Sequence, residues 1–460
     1  MNVKNLTVWI RAMVGALTLF FGGLGNAADV SITAFGGHPD DGSDTVLALR
    51  QALAQCQRVG SHKLIFPKGR YDFWPDKAVD RYYFISNNDE GLKRIAFLLR
   101  GMKNLEIDGQ GSTFIFHGFL DPFIIDGSTN VTMKNFSIDF IRTFDSEAKI
   151  LAENPDGLDV EFSKAYPYRV DNHILVFTDG GDKPQETSTK SREVLYPFGD
   201  LLEFDPIKRE TAFMAQDYWC ANGLSVKELG GRKVRLLIPG LKGTPGNIIV
   251  FGAKERAVPG IVITGSENTL LDHVTIYHCG GMGVIAQRSR DINLQYVCVT
   301  PTPGSGRVVS VTADATHFVN CHGKIEMGHC LFECQKDDAS NLHGIYARIA
   351  SRIDDETILV QLVHPQQFGF DFIHPGTQLE LVHGPSMETF GKAKAKSVER
   401  INKEYTRVVC EQPLPPELKA GDVVAEAGDY PEVYIHDCTL RGNRARGLLL
   451  NNRGKMLVEN

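Results

Sequence analysis

The amino-acid sequence predicts an all-β protein, a right-handed parallel β-helix that carries two inserted β-barrel or sandwich modules. Three observations lead to this fold class. A nine-residue frame with apolar residues at positions two, four, seven and nine recurs along the chain. Two clear copies begin 23 residues apart, which is about the length of one solenoid coil. Two other intervals between copies are too long for one coil and therefore predict inserted modules.

The frame itself indicates two short strands around a corner. Clear copies read NVTMKNFSI from residue 130, NTLLDHVTI from 268, DINLQYVCV from 291, KIEMGHCLF from 324 and EVYIHDCTL from 432, with weaker copies from 104 and 455. Alternate residues are apolar, as in a half-buried strand, and the two-residue step in the middle marks the corner. An antiparallel sandwich shares the alternation but would not keep register over 23-residue steps, so stacked coils are favoured.

The spacing of the frames predicts the domain organisation. The intervals from 130 to 268 and from 324 to 432 leave 115 and 85 residues after one coil is subtracted. A helix with Val46, Leu49 and Leu53 on one face is expected to cap the solenoid. The frame from 455 is incomplete at Asn460, which predicts further coils beyond it. The predicted parts are an N-terminal cap with the first coils at 28–139, an inserted β-barrel module at 140–256, central coils at 257–344, a second inserted β module at 345–430 and further coils at 431–460.

The first 27 residues resemble a secretory signal peptide and predict a secreted or periplasmic protein. Lys4 and Arg11 precede an uncharged apolar run that ends before small residues suited to cleavage. The alternative is an uncleaved anchor, but thirteen apolar positions fall short of the roughly 20 that span a bilayer. Removal of the two cations takes the net charge from −7 to −9. This acidic balance disfavours nucleic acid and polyanionic polysaccharides as partners and suits neutral sugars.

The cysteines and histidines give no sign of a cofactor. Nine cysteines are an odd number, so at least one is free or pairs outside the chain. No Cys or His pair has the spacing of a zinc site. The sequence predicts neither a metal nor another cofactor, and it leaves the oligomeric state open.

Three aspartates are the candidate catalytic residues. When the coils are aligned on their frames, Met282, Asp338 and Arg446 each follow the frame by six residues, and Asp314 aligns with Asp338 once a ten-residue loop is allowed for. Asp314 and Asp338 should therefore stack about 4.8 Å apart in backbone spacing. Asp337 precedes Asp338, and both can line one cleft only at a corner before the strand.

Stacked carboxylates suit glycoside hydrolysis, in which one acid protonates the departing oxygen and another activates water or attacks carbon. A solvated acidic turn and a calcium site of the kind found in β-helix lyases are the alternatives. His343 is a binding candidate, whereas Trp219, a residue type that can stack on sugars, is expected to be buried in the first module.

The motifs around these acids resemble known glycosidases. Gln335-Lys336-Asp337-Asp338, then His343-Gly344, with Asp314 upstream, is similar to the polygalacturonase clan of pectate-lyase-like β-helices. The match is partial, because Thr312-Ala313-Asp314 replaces their Asn-Thr-Asp and their Arg-Ile-Lys triad is absent from its usual place. The stretches ITAFGGHPDDGSDT, ADATHFVNC and QKDDASNLHG resemble glycoside hydrolase family 110 more closely and across residues 29 to 460.

The resemblance implies an exo-acting α-1,3-galactosidase that acts on terminal galactose of blood-group-B or linear α-galactosyl glycans. By it, Asp314 would be the general acid and Asp337 with Asp338 would hold the water, with inversion and without a metal. The same motifs offer as substrate-binding candidates His317, Lys336, Asn341 and His343. The alternatives are a polygalacturonase-like or lyase-type enzyme and a non-catalytic glycan-binding solenoid.

Overall fold

Strands make up most of the structure, and the one α-helix of the described residues lies near the N-terminus. The computed structural model describes residues 29–59, 62–181, 193–220 and 223–460. The predicted signal segment, 1–27, lies outside them. Helix α1 (Val46–Val59) buries Val46, Leu49 and Leu53 and packs on the first strands. No helix of the described chain has the length and apolarity to cross a membrane.

The solenoid strands fall into three groups along the chain. Those before the first insertion are β1 (Val30–Ser31), β2 (Lys63–Ile65), β3 (Arg70–Phe73), β4 (Val79–Ile85), β5 (Asp89–Arg100), β6 (Lys103–Phe116), β7 (Asp121–Asp126) and β8 (Thr129–Phe140). The first insertion contains β9 (Ser146–Asn154), β10 (Gly157–Phe162), β11 (Tyr168–Asp171), β12 (Ile174–Phe177), β13 (Phe198–Asp205), β14 (Glu210–Thr211), β15 (Tyr218–Trp219), β16 (Val226–Gly230), β17 (Lys233–Leu237) and β18 (Ile248–Ala253).

The central solenoid strands are β19 (Ile261–Thr264), β20 (Glu267–Ile276), β21 (Val284–Gln287), β22 (Arg290–Gln295), β23 (Cys298–Val299), β24 (Thr316–Val319), β25 (His322–Gly328), β26 (Leu331–Glu333) and β27 (Ser340–His343). The second insertion contains β28 (Tyr346–Arg352), β29 (Thr357–Gln361), β30 (Gln378–Val382), β31 (Thr389–Arg400), β32 (Tyr405–Cys410) and β33 (Val423–Glu426). The last coils contain β34 (Glu432–His436), β35 (Thr439–Arg441), β36 (Leu448–Leu450) and β37 (Met456–Glu459), and short 3-10 helices span Ile32–Phe35, Pro75–Lys77 and Pro365–Gln367.

Two long sheets of mainly parallel strands form the solenoid. The first runs β1-β2-β6-β8-β20-β22-β25-β34-β37, and the second runs β36-β27-β24-β21-β19-β7-β5-β4, with only β4 antiparallel to its neighbour. Strands that follow one another in each sheet come from successive coils, which is the pairing of a parallel β-helix. The predicted fold class is therefore confirmed.

The strand pairing follows the nine-residue frame. Residues at its second position pair directly from coil to coil: Thr269, Ile292, Ile325, Val433 and Met456. The sixth position has a positive φ of 52° to 58° in five frames: Asn135, His273, Tyr296, His329 and Asp437. One residue in the left-handed region turns the chain sharply, so it forms the corner between the two strands of each frame.

The weaker frame from residue 104 departs from this register after its first strand. Asp108 pairs with Lys134, but the next pair joins Ser112 to Phe136, so extra residues bulge from the coil. A Cβ on Gly109 would lie 2.5 Å from the Cβ of Phe136, which explains the glycine within the bulge.

The first insertion lies between β8 and β20. These two strands pair directly, although Asn130 of β8 and Asn268 of β20 are 138 residues apart in sequence. Its strands form an antiparallel sheet in the order β14-β13-β18-β9-β10-β17-β16, with β15 also on β13, and a separate hairpin of β11 and β12. We call residues 146–256, from β9 to three residues beyond β18, module I.

The second insertion separates β25 from β34 and is a closed antiparallel barrel in the order β28-β29-β32-β31-β30-β33. It has its own core, to which Val319 of the solenoid also belongs. We call residues 346–426 module II. Module I instead shares one continuous core with the coils, which includes Phe251 and Phe144. All nine cysteines are free, and most are buried.

Candidate active site

The three candidate aspartates meet where β24 and β27 begin. The amide of Ala315 donates to the carbonyl of Asp338 at 3.0 Å, and the amide of Gly283 donates to the carbonyl of Asp314 at 2.9 Å. The amide of Ala339 donates to the carbonyl of Arg446 at 2.9 Å. These bonds stack Met282, Asp314, Asp338 and Arg446 in one column, in the register that the frames predict.

Asp337 joins this column because the chain bends just before β27. One carboxylate oxygen from each of Asp314, Asp337 and Asp338 lies within 4.8 Å of the other two. Asp314 and Asp338 are buried, whereas the side chain of Asp337 is 24% exposed. Asp337 is therefore the acid that a substrate can reach most directly.

An arginine of the next coil holds Asp338. The Nε and Nη2 atoms of Arg446 donate to Oδ1 and Oδ2 of Asp338 at 2.8 and 2.9 Å, and the amide of Arg446 donates to Oδ1 at 2.9 Å. The paired carboxylate raises the pKa of Arg446. This two-pronged bond fixes the plane of the carboxylate.

A histidine holds Asp314 in a similar way. Nδ1 of His317 lies 2.6 Å from Oδ2 of Asp314, so a hydrogen bond to the imidazole fixes the position of this carboxyl group. Nε2 of His317 lies 2.9 Å from the side-chain amide of Asn87 and 3.0 Å from Nε2 of His343. Within the described chain, Oδ1 of Asp314 has no hydrogen-bond partner, so this atom is free to bind water.

Asp337 has the most unusual electrostatic surroundings of the three. Burial raises its pKa most, and the nearby carboxylate of Asp314 raises it further. Nη2 of Arg256, at the end of module I, donates to Oδ2 of Asp337 at 2.6 Å and opposes that shift only in part. Asp337 thus keeps its proton to a higher pH than an ordinary aspartate does.

Two of the predicted binding residues, Asn341 and His343, lie on β27 with part of their surface exposed. Oδ1 of Asn341 is buried without a partner, and burial lowers the pKa of His343 to about 4, so its imidazole is neutral. His317 is buried behind them and contacts Asp314 rather than open space.

Lys336, predicted to bind substrate, lies in a different setting. Its Nζ is 3.0 Å from Oδ2 of Asp200 and 3.8 Å from Oδ1 of Asp145, both in or beside module I. A Cβ on Gly252 would lie 1.9 Å from this nitrogen, so the glycine makes room for it. The ammonium group is almost fully buried. Lys336 therefore joins module I to the coil that carries Asp337.

A cavity of about 690 Å³ opens between the solenoid and module II. The three aspartates are not among its lining residues, and His317 connects it to them through its contacts with Asp314, Asn87 and His343. Asn341 and His343 line one wall, and Asn87 lies at the end near His317. Module II, the last coil and the link between them contribute polar and aromatic side chains to the other walls, among them Tyr346, Glu380, Glu426, Tyr430, Asn451 and Arg453. The mixture of tyrosines with hydrogen-bonding groups suits a sugar.

Further buried polar atoms near the acids have no partner among the described residues. They are both side-chain polar atoms of Gln335, Oγ1 of Thr312 and Oδ1 of Asn88. Gln335 and Thr312 lie two or three residues before the aspartates in sequence. Unpaired buried polar atoms are uncommon in folded proteins and often mark groups that bind water or ligand.

Several residues of this site were not found from the sequence. The alignment of frames placed Arg446 in the same column as Asp338, so its position was a usable signal. Arg256 and Asn87 come from module I and the β4–β5 hairpin, and no pattern linked them to the acids. The expectation that Trp219 is buried is wrong, because its side chain is 79% exposed.

The donor groups of the described chain include two sets with spacing compatible with a metal ion. One is the three aspartates, and the other is His329, His436 and Asp437 on the far corner of the coils. In the first set both oxygens of Asp338 already accept hydrogen bonds from Arg446, and Oδ2 of Asp337 accepts one from Arg256. Guanidinium groups thus supply the positive charge there, and the set fits a divalent cation poorly.

Comparisons with known proteins support a glycosidase. Residues 146–249 match the family described as GLAA-B beta-barrel domain I, and residues 357–424 match GLAA-B beta-barrel domain II. The chain is 39% identical over 441 residues to alpha-1,3-galactosidase A of Shewanella woodyi, and the alignment covers 94% of this chain and 70% of that protein. It is 32% identical over 439 residues to alpha-1,3-galactosidase B of Akkermansia muciniphila, and this alignment covers 94% of this chain and 53% of that protein.

Among solved structures, the A-module of a mannuronan C-5 epimerase from Azotobacter vinelandii is similar at 10% sequence identity and a TM-score of 0.28. The overlap covers 68% of this chain and 59% of the epimerase chain.

Proposed function

The chain belongs to the family of the α-1,3-galactosidases, which are glycoside hydrolases, and we propose that it removes terminal α-1,3-linked galactose from oligosaccharides or glycoconjugates by general acid and base catalysis. The observation that carries the mechanism is the convergence of three carboxylates, two buried and held by other side chains and one partly exposed. Cleavage of a glycosidic bond needs one proton donor and one activated water, and this arrangement can supply both.

Asp337 is the general acid in this proposal. Its raised pKa keeps a proton available, and its partial exposure lets the carboxyl reach the glycosidic oxygen. As the bond between the anomeric carbon and that oxygen breaks, the proton passes to the departing oxygen. This assignment differs from the one that the family resemblance implied, in which Asp314 was the acid.

Asp314 and Asp338 hold the attacking water. Their nearest oxygens lie within 4.8 Å, and one water that makes two hydrogen bonds of about 2.7 Å can bridge a gap of that size. His317 and Arg446 fix the two carboxylates from behind. The water attacks the anomeric carbon as a carboxylate takes its proton, and direct attack by water inverts that centre.

The carboxylate spacing gives a stereochemical test. Inverting enzymes usually separate their carboxyls by about 6.5 to 9.5 Å and retaining ones by about 5 to 5.5 Å. The oxygens of the three acids lie within 4.8 Å of one another, which is nearer to the spacing of retaining enzymes. A water held by Asp314 and Asp338, in contrast, would attack directly and give inversion. Early NMR spectra of the product distinguish these outcomes, since β-galactose forms first by inversion and α-galactose by retention.

The cavity next to module II is the proposed site for the terminal galactose. Asn87 and His343 line it and both contact His317, which in turn contacts Asp314, so the cavity adjoins the side chains that hold the acids. Module II closes this side of the cleft and would admit only a chain end, which supports exo action. The unpaired Oδ1 of Asn341 can accept a sugar hydroxyl.

The proposed location is outside the cytoplasm, on the basis of the signal-like residues 1–27. It fits an enzyme whose substrates are glycans of other cells or of the surroundings. The N-terminal sequence of protein recovered from the producing cell and its medium tests it, and a mature chain that still begins at Met1 inside the cell would refute it.

The decisive experiment is incubation with α-1,3-galactobiose, a blood-group-B oligosaccharide and polygalacturonate, followed by chromatography of the products. We expect free galactose from at least one galactoside and nothing from polygalacturonate. Release from polygalacturonate alone would refute the proposal in favour of a polygalacturonase-like enzyme. An unsaturated sugar product would instead identify a lyase.

A further inference from the structure

We propose that Trp219 of module I is a stacking platform for the part of the glycan that leaves, one to three sugar rings beyond the terminal galactose. The inference rests on the proposed function, because it deepens the specificity of that same cleft. It predicts that the protein prefers longer α-galactosyl chains to the disaccharide.

The exposure of Trp219 is the first observation. Its indole is 79% exposed, whereas Trp74 is 6% exposed and stacks on the imidazole of His117 with the ring centres 3.7 Å apart. A tryptophan carries a large apolar surface, and leaving it in water is unfavourable unless a ligand covers it. The apolar face of a pyranose ring is the kind of surface that an indole covers.

The position of Trp219 relative to the acids is the second observation. Trp219 of β15 pairs directly with Asp200 of β13, so the two side chains project from the same face of the sheet. Asp200 bonds Nζ of Lys336 at 3.0 Å. Lys336 directly precedes Asp337, so one strand pairing and one ion pair connect Trp219 to the segment that carries the proposed general acid.

A second tie holds β15 on the other side. Nη2 of Arg444 donates to Oδ2 of Asp217 at 2.6 Å, two residues before Trp219. The amide of Arg444 donates in turn to the carbonyl of Gln335 at 2.9 Å. The short strand is thus fixed to both chain segments that carry the site, the one with Asp337 and the one with Arg446.

The orientation of the bound substrate places its leaving group on the side of the site next to module I. The galactose cavity lies toward module II, whereas Arg256, which bonds Asp337, belongs to the end of module I. An acid that protonates the departing oxygen faces the remainder of the glycan. That remainder therefore runs toward module I and across Trp219.

Binding can be measured in the Asp337→Asn protein, which should bind the glycan and cleave it about 10²-fold or more slowly than wild type. Addition of an α-1,3-galactosyl tetrasaccharide should shift the tryptophan emission to shorter wavelength and protect a tryptophan from N-bromosuccinimide. Galactobiose should do neither, and Trp219→Phe in the same background should abolish the shift. Emission that changes equally with both sugars, or that persists in Trp219→Phe, would overturn the proposal.

Kinetics with the otherwise unaltered protein provide the second test. Trp219→Ala should raise KM for the tetrasaccharide by about 2- to 10-fold with little change in kcat, as expected for the loss of one aromatic contact. The values for galactobiose should stay unchanged. Ile207→Ala is the matched control, because Ile207 is equally apolar and 92% exposed but lies beyond the opposite end of β13.

Two outcomes separate this inference from the proposed function. If the wild-type protein cleaves neither galactoside but the Trp219-dependent shift occurs, the stacking platform is supported and the hydrolase proposal fails. If both sugars are cleaved and Trp219→Ala changes the KM for each of them equally, the platform is refuted and the hydrolase proposal stands. The same conclusion follows if light scattering shows that Trp219→Ala converts a dimer to a monomer.

Discussion

Replacement of Arg446 by glutamine tests whether catalysis requires the carboxylate of Asp338 to be fixed by the guanidinium group of Arg446. The substitution removes the two side-chain bonds to Asp338 and leaves the one from the backbone amide of residue 446. Loss of one partner of a fully buried ion pair costs about 3 to 5 kcal/mol. Arg446 has 58% of its side chain exposed, so solvent screens the pair and we expect about 1 to 3 kcal/mol.

The effect on catalysis should exceed the effect on folding. Without the guanidinium the carboxylate of Asp338 can rotate, and the water that it orients is lost, so kcat/KM on α-1,3-galactobiose should fall by about 10²-fold or more. Arg446→Lys should recover part of the loss, because an ammonium makes a point contact without the fork.

The assay compares thermal unfolding and initial rates with those of Arg441→Gln. Arg441 lies on the same coil and bonds Glu333, which also bonds Arg209, so its loss should alter stability slightly and leave the rate unchanged. Arg446→Gln protein that matches Arg441→Gln in rate would show that the orientation of Asp338 does not matter.

Three further predictions concern the acids. Asp314→Asn, Asp337→Asn and Asp338→Asn proteins should fold and lose about 10²-fold or more in activity, and wild-type rates in all three would rule out the site. Because burial raises the pKa of Asp337 in the folded state, ionisation of this group destabilises the folded protein as pH rises. The Asp337→Asn protein should therefore unfold at a higher temperature than wild type at pH 7. Differential scanning calorimetry should show that this difference disappears below pH about 4. Activity should survive EDTA, since two arginines already bond the carboxylates; loss on chelation with recovery on calcium would contradict this reasoning.

One buried acid outside the site should make stability depend on pH. Burial raises the pKa of Glu147 to about 7, although its carboxylate accepts the amides of Val308 and Val309. The folded state therefore binds this proton more tightly than the unfolded state, and stability should decrease as pH rises from about 4.5 through 7. Glu147→Gln should flatten that part of the profile in calorimetry, and an unchanged profile would show that another group is responsible.

The sequence alone predicted the solenoid because its physical cause is local and repeated. Apolar alternation and the six-residue offset from each frame fix which residues of neighbouring coils stack, and parallel pairing preserves that register over the whole chain. For this reason the stacking of Asp314 over Asp338 could be predicted without a structure. The same offset already contained Arg446, although its role as the partner of Asp338 was not drawn from it.

Only the tertiary structure decided the different surroundings of the three acids, because these depend on groups brought in by distant parts of the chain. Arg256 arrives from module I and Asn87 from the β4–β5 hairpin, at distances along the chain that no repeat encodes. Burial and these partners, rather than the Asp-Asp motif, make Asp337 the accessible acid. Module I also pairs Lys336 with Asp200 and leaves Trp219 exposed, since the packing of one module on another is set by surface shape and not by the period of the sequence.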